Sequence, residues 1–395
     1  MATEAPAIQL TDKERVVRAS FLGLILFSLG HFFIDLYSAA LGTFQPVLGD
    51  KLHLTLTQAG ILGGLLVFSS SVMQPAYGYL SDRFHTRMFS VLAPAIAGIF
   101  ISCLGLASNF AWLILLVLLG GCGVASFHPQ ASARATLGIV GNRGRWMAVF
   151  ISAGTLGLAA GPAYFSSFLN WLGPERTYWA ALPAIAITGM LLWWLPEHPR
   201  PPVQEHRKFN WHPLRTVWKP LTILYFLVFI RSIVQVVFTQ FLPLYLLRER
   251  GFSLAAASYS LTLYLATGAI GGFAGGHLAD RVGGRQVILI SMAGCLPFLA
   301  LFFLTTGPFS LIGLALTGLL LLFTIPVNVV MAQELVPSQA GTVSALMMGF
   351  AWGMAGLIFI PLTGWAGDHF TLHTSLFALS LFPIIGFFLT LKLPK

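Results

Sequence analysis

Charge is scarce in this chain. Only 9% of its 395 residues are Asp, Glu, Lys or Arg, and just 13 are acidic. A soluble domain carries about 25% charge, and a water-facing surface cannot be covered with so little. Most of the surface must therefore face lipid, which excludes an ordinary soluble enzyme or binding module. Cysteine is scarcer still. Cys103, Cys122 and Cys295 stand alone within apolar runs, so neither a disulfide framework nor a metal spacing follows, and small buried hydrophobes are the expected role. No Gly-x-x-x-x-Gly-Lys-Ser/Thr loop is present, which argues against an ATP motor. Residues 1–10 lack a short apolar core followed by a small-residue cleavage site, so no cleaved leader is expected.

Apolar residues are what the chain has instead, at 56% of the total. A helix needs about 20 mostly apolar residues to span a bilayer. Twelve such helices are predicted, at 19–44, 57–80, 88–107, 110–133, 146–170, 177–195, 219–246, 255–279, 286–305, 308–334, 340–366 and 372–391. The fold class is therefore all-α and integral to the membrane. One long polar, proline-rich stretch, 196–218, interrupts the pattern. It divides the chain into an N-terminal bundle, 1–195, and a C-terminal bundle, 219–395.

Basic residues orient the layout. With the N-terminus inside, seventeen of the 22 Lys and Arg residues fall on the cytoplasmic side. Lys51, Arg176, Arg248 and Arg250 fall outside, and Arg231 lies within a helix. This is the positive-inside bias, and it predicts both termini in the cytoplasm. It also accounts for the net charge of +9 without any nucleic-acid partner.

The two halves repeat each other. Phe44-Gln-Pro46 recurs as Phe241-Leu-Pro243, and Pro129 recurs as Pro326. Gly154, Gly157 and Pro162 recur as Gly353, Gly356 and Pro361. The run from Gly78 through Asp82 and Arg83 to Arg87 recurs from Gly276 through Asp280 and Arg281 to Arg285. Six helices per half make the repeats parallel, related by an axis along the membrane normal.

These two loops, each Gly-x-x-x-Asp-Arg-x-x-x-Arg, resemble the loop signature of the major facilitator superfamily. The resemblance implies two pseudo-symmetric six-helix bundles and a transporter acting by alternating access, working as a monomer. It further implies a latch built from Gly78, Asp82, Arg83, Arg87, Gly276, Asp280, Arg281 and Arg285. In that latch the Asp approaches a helix N-terminus, where negative charge is favoured, and the Arg residues pair with nearby acids. Glu334, ending the tenth helix, is expected to pair with a loop Arg. The run Gly154–Pro162 is similar to a signature of proton-driven exporters in that superfamily.

Buried ionisable groups carry the mechanistic reading. Asp35 is the one acid placed inside a predicted span, and His31 precedes it by one helical turn, on the same face. A charge at mid-membrane costs about 3 kcal/mol on insertion scales, and such residues usually line a cavity. His31 and Asp35 map onto Val228 and Ser232 in the second half, and His128 has no counterpart before Pro326. Polar groups confined to one half are expected to serve function. Asp35 with His31 is therefore the expected proton-coupling site. His128, Arg231, Gln235, Asn328 and Phe127 are the expected substrate contacts. Arg231 cannot easily shed its proton, so it needs an anionic partner, with Asp35 the internal candidate, or an anionic substrate.

The stretches Ser28-Leu-Gly-His31-Phe-Phe-Ile-Asp35 and Ala125-Ser126-Phe127-His128-Pro129 resemble those of the fosmidomycin-resistance exporters, with Gln130 standing where an acid would be expected. The resemblance implies export in exchange for protons at a bacterial inner membrane, of a small, anionic or phosphonate-like compound or drug. No cofactor is expected. Three other readings remain open at this point. One is uptake of an organic anion or nutrient by proton symport. Another is a membrane-embedded enzyme with a metal on His31, Asp35 and His128. The third is a non-transporting sensor.

Overall fold

The computed structural model describes residues 12–84, 86–139, 143–195 and 212–394. Among them are twelve helices long and apolar enough to cross a bilayer, and no strand. These are α1 (Ser20–Leu52), α2 (Leu56–Ser81), α3 (Met88–Leu106), α4 (Phe110–Arg134), α5 (Arg145–Leu172), α6 (Pro174–Trp194), α7 (Trp218–Arg248), α8 (Leu254–Val282), α9 (Gly284–Leu304), α10 (Gly307–Leu335), α11 (Pro337–His369) and α12 (Leu372–Thr390). Lipid offers no partner to a peptide group, and a helix satisfies its backbone within one segment. Most of the predicted link 196–218 lies outside the described residues; its end, His212–Thr216, is a short helix.

Backbone groups go unpaired at helix ends, and there the chain spends its few polar side chains. Thr55 and Gln58 form a reciprocal cap at the start of α2. Asn109, Ser253 and Thr371 cap α4, α8 and α12. Cations close the other ends, where the helix dipole favours them. Lys51 donates to Gly105 O at the end of α3 (2.7 Å), and Arg250 donates to Phe302 O and Phe303 O at the end of α9 (3.3 Å each). Arg87 donates to Leu192 O (3.0 Å) and Leu195 O at the end of α6. Arg285 donates to Thr390 O (3.4 Å) and Leu391 O (3.1 Å) at the end of α12. The last Arg of each loop motif was expected to meet an acid. Among the described residues, both hold the carbonyl end of a helix in their own half.

Helix α1 runs eight residues past its predicted end and is broken once, between Ser38 and Ala40. Ser38 Oγ donates to Asp35 O (2.9 Å), a local bond of the kind that competes with helix continuation.

Buried apolar residues form three clusters. One is built from residues between Leu24 and Leu195. Another is built from residues between Leu221 and Leu393. The third is mostly second-half but takes in Ala59, Val67 and Ala159, and marks where the halves meet. Helices α2 and α11 press together there. A methyl on Gly60 would stand 2.8 Å from Ile360 O, so only glycine permits the approach. Each of the two helices carries a π-helical segment, Phe68–Val72 and Ala345–Ala351, a local widening often found where helices serve function.

Polar links between halves lie toward the end that carries the α1–α2 and α7–α8 loops. Asp50 pairs with Arg248 (3.2 Å). Asp368 accepts from Leu56 N (2.8 Å), Thr57 N (2.7 Å) and Thr57 Oγ1 (2.5 Å). Thr262 Oγ1 accepts from Ala163 N (3.2 Å). At the opposite end, where the two loop motifs lie, Arg83, Asp280, Arg281 and Glu334 are exposed. None of these four has a polar partner among the described residues. The partner expected for Glu334 is thus not found among the described residues, and the side chain of Asp82 lies outside them. Gly78 and Gly276 face the repeat-related Pro129 and Pro326, where an added methyl would meet ring carbons at 3.5 and 3.6 Å. That is ordinary contact, so neither glycine is sterically required here.

Candidate functional site

Asp35, on α1, sits between two histidines. Its Oδ2 is 3.4 Å from His31 Nε2, one turn earlier on the same helix. Its Oδ1 is 3.3 Å from His128 Nε2, on α4. The imidazole rings stand edge to face, with centroids 5.1 Å apart. Neither ring is free to turn. His31 Nδ1 bonds Phe150 O of α5 (2.8 Å), and the ring stacks on Phe150 at 4.3 Å. His128 Nδ1 bonds Val124 O (2.9 Å), one turn back on α4. Helix α5 approaches the triad through glycine: a methyl on Gly154 would stand 2.6 Å from Asp35 Oδ2.

The hydrogen count follows from these partners. A backbone carbonyl only accepts, so each Nδ1 carries the hydrogen. Each Nε2 then meets the carboxylate either as a bare lone pair or as a second N–H. An ionised Asp35 is bonded on both sides only when both imidazoles are cationic. A neutral carboxyl can donate to one bare Nε2. Two ionisable side chains of α1 and one of α4 thus meet at a single point.

Phe127, predicted as a substrate contact, is fully buried. It packs behind His31, with ring centroids 6.2 Å apart. Arg231, predicted to face Asp35, does not reach it. Its one polar partner among the described residues is Gln235 Oε1, one turn along α7, and its Nε has none. The expected ion pair is thus replaced by a contact within α7, because Asp35 is already held by two histidines of its own half. Arg231 is only 5% exposed. Asn328, on α10, is fully buried with both amide atoms unpartnered, and so is the hydroxyl of Tyr264 on α8. Tyr264 escaped the sequence reading because a lone Tyr in an apolar helix gives no signal of its own.

Gln130, where an acid was expected, ties the first loop motif to α4. Its Oε1 accepts from Ser90 N (3.0 Å) and Ser90 Oγ (2.6 Å), and its Nε2 donates to Ser81 Oγ and Thr86 O (2.6 Å each). An ionised acid could accept but not donate. Gln130→Glu should therefore strand Thr86 O and cost about 1–3 kcal/mol, read as a lower thermal midpoint of the purified protein. An unchanged midpoint would contradict this role.

Comparison with known proteins agrees with this architecture. The sequence model of the Major Facilitator Superfamily matches residues 27–361. The chain is 28% identical over 389 residues to the fosmidomycin resistance protein of Escherichia coli (strain K12), covering 95% of this chain and 94% of that one. It is 32% identical over 374 residues to YfnC of Bacillus subtilis (strain 168), an uncharacterized MFS-type transporter, covering 92% and 90%. Among solved structures, a bacterial homologue of the lysosomal transporter Spinster, inward-facing and occupied, superposes with TM-score 0.80 at 16% identity, covering 93% of this chain and 95% of that one. The nucleoside transporter NupG gives 0.73 at 15%, covering 94% and 98%. Twelve spans in this arrangement, matched along nearly the whole chain by transporters, make this protein a multi-pass membrane transporter of the Major Facilitator Superfamily and not an enzyme.

Proposed function

We propose that this protein is a proton-coupled exporter of a small anionic compound, moving protons inward through His31, Asp35 and His128 as cargo moves out. The observation that carries the reading is the triad itself. Three ionisable side chains share one site, and the hydrogen-bond partners of both rings leave only the inner nitrogens and the carboxylate to change protonation. His128 thereby joins the proton site rather than the cargo site. Arg231 supplies the cargo contact, supported by its burial and by the lack of any acidic partner among the described residues. Gln235, bonded to it, and Asn328 serve as uncharged partners in this role, while Phe127 braces His31.

In this reading residues 1–195 and 219–395 rock as two bodies about a monomer's central cavity. The loop-motif end faces the cytoplasm of a bacterial inner membrane, as do both termini. The conformation described is then sealed outside and released inside. The motif latch engages in the alternate state. Export is favoured over proton-driven uptake by the 28% identity to a resistance protein across nearly its whole length.

The test is flux in proteoliposomes under an imposed pH gradient, with cargo candidates first screened by thermal shift. Stabilisation grows with ligand concentration over Kd, so phosphonates and other organic anions should raise the midpoint. Accumulation should collapse when a protonophore dissipates the gradient; accumulation that survives would remove proton coupling. Arg231→Gln should weaken cargo binding about 10–100-fold, the value of a charge-assisted hydrogen bond of about 1.5–3 kcal/mol. Unchanged affinity would take Arg231 out of the cargo site.

A further inference from the structure

Three lone pairs converge at one point between α1 and α4. Both imidazoles turn Nδ1–H to a backbone carbonyl, His31 to Phe150 and His128 to Val124, and both turn Nε2 to Asp35. Metal-binding histidines are held in this way: the outer N–H is pinned by a carbonyl and the inner nitrogen is left to donate its lone pair. One ligand atom from each of the three side chains lies within 4.8 Å of the others, and no other such cluster of His, Cys, Asp and Glu occurs among the described residues. Each nitrogen faces its own carboxylate oxygen, His128 Nε2 at 3.3 Å from Oδ1 and His31 Nε2 at 3.4 Å from Oδ2, so the carboxylate spans the gap between the rings. Neighbouring ligands on tetrahedral Zn²⁺ are about 3.3 Å apart, given bonds of about 2.0–2.1 Å. The two nitrogens lie within 4.8 Å of each other, so a tetrahedral ion draws the rings together by up to about 1.5 Å. Gly154 lets α5 pass close to Asp35 and His31, where a methyl would clash with both. The side chains of Asp35 and His128 are 20% and 24% exposed, enclosed yet reachable by an ion.

We propose that His31, Asp35 and His128 form a binding site for a divalent transition-metal ion of the zinc class, with three protein ligands and a fourth position open to water. Two imidazoles and one carboxylate select Zn²⁺, Co²⁺ or Ni²⁺ over the oxygen-seeking Mg²⁺ and Ca²⁺. No enzymatic role is attached to the site. An ion there ties α1 to α4 and, through the Phe150 carbonyl, to α5.

The test is titration of tag-free protein in detergent with Co²⁺, whose visible absorption reports tetrahedral coordination, followed by displacement with Zn²⁺. One saturable equivalent is expected. His31→Gln, Asp35→Asn and His128→Gln should each weaken it at least about tenfold, while His373→Gln, in the second half, should leave it unchanged. No saturable band in the wild type, or the same affinity in all three site variants, overturns the proposal. Should the variants aggregate, X-ray absorption of the zinc-loaded wild type decides: imidazole nitrogen with oxygen supports the site, and oxygen alone or sulfur overturns it. Failure here leaves proton coupling standing, since that flux is measured without added metal.

Discussion

Asp35→Asn should reduce pH-gradient-driven accumulation to the level of empty vesicles while leaving the protein folded and able to exchange cargo across the bilayer without a gradient. An amide has nearly the shape of a neutral carboxyl. It can donate to one bare Nε2 and accept from the other ring if that ring is protonated, so the bonds from α1 to α4 largely survive. What it cannot do is release a proton. The triad then keeps one carboxyl-like state in both conformations, and the link between proton position and conformation is lost. Full gradient-driven flux in this variant would sink the assignment. Loss of both exchange and flux, with a normal thermal midpoint, would mean that Asp35 touches cargo instead. The histidines alone offer no equivalent test, since either change also removes a ring that packs against its neighbours.

Asp368→Ala should open the sealed end. Asp368 is the one acid that joins the halves by bonding a helix start, taking both backbone N–H groups and the hydroxyl at the first turn of α2. A negative charge is favoured there. The site is exposed, so the interaction is discounted for solvent, leaving about 1–2 kcal/mol and a shift of roughly tenfold between conformations. Spin labels at positions 53 and 370, in a background without the three cysteines, should show a longer-distance population that the parent lacks. An unchanged distance distribution would show that apolar packing between α2 and α11 holds the end closed without it. Asp50 with Arg248 is the weaker control: an exposed pair of this kind is worth about 0–1 kcal/mol.

The twelve spans were legible because apolar length is a property of one segment, read without its neighbours. The triad was half legible for the same reason. His31 and Asp35 share a helix face, so their spacing predicts their contact. His128 lies 93 residues from Asp35 in sequence, and only the packing of α4 on α1 brings it within 3.3 Å. The pairing of Arg231 with Asp35 was a guess across two helices, and the nearer histidines displaced it. Gln130 shows another limit. Its departure from the expected acid was visible, but the four bonds of its amide, two of them donated, depend on where the loop after α2 folds back. The carbonyls of Phe150 and Val124, which fix the rings, belong to the backbone and leave no trace in side-chain chemistry.

The cations that close the helix ends have a consequence for how the protein is made. Lys51 and Arg87 close carbonyl ends within the first six helices, and Arg250 and Arg285 do so within the last six. The early helices can therefore complete their own hydrogen bonding while the rest is still being synthesised. At about 5–20 residues per second, the roughly 200 remaining residues take on the order of 10–40 s. During that interval the first half stands in the bilayer alone, its α2 start without Asp368 and its α5 without α8. The surface where the halves meet is the last to be covered, and it waits against lipid until its partner arrives.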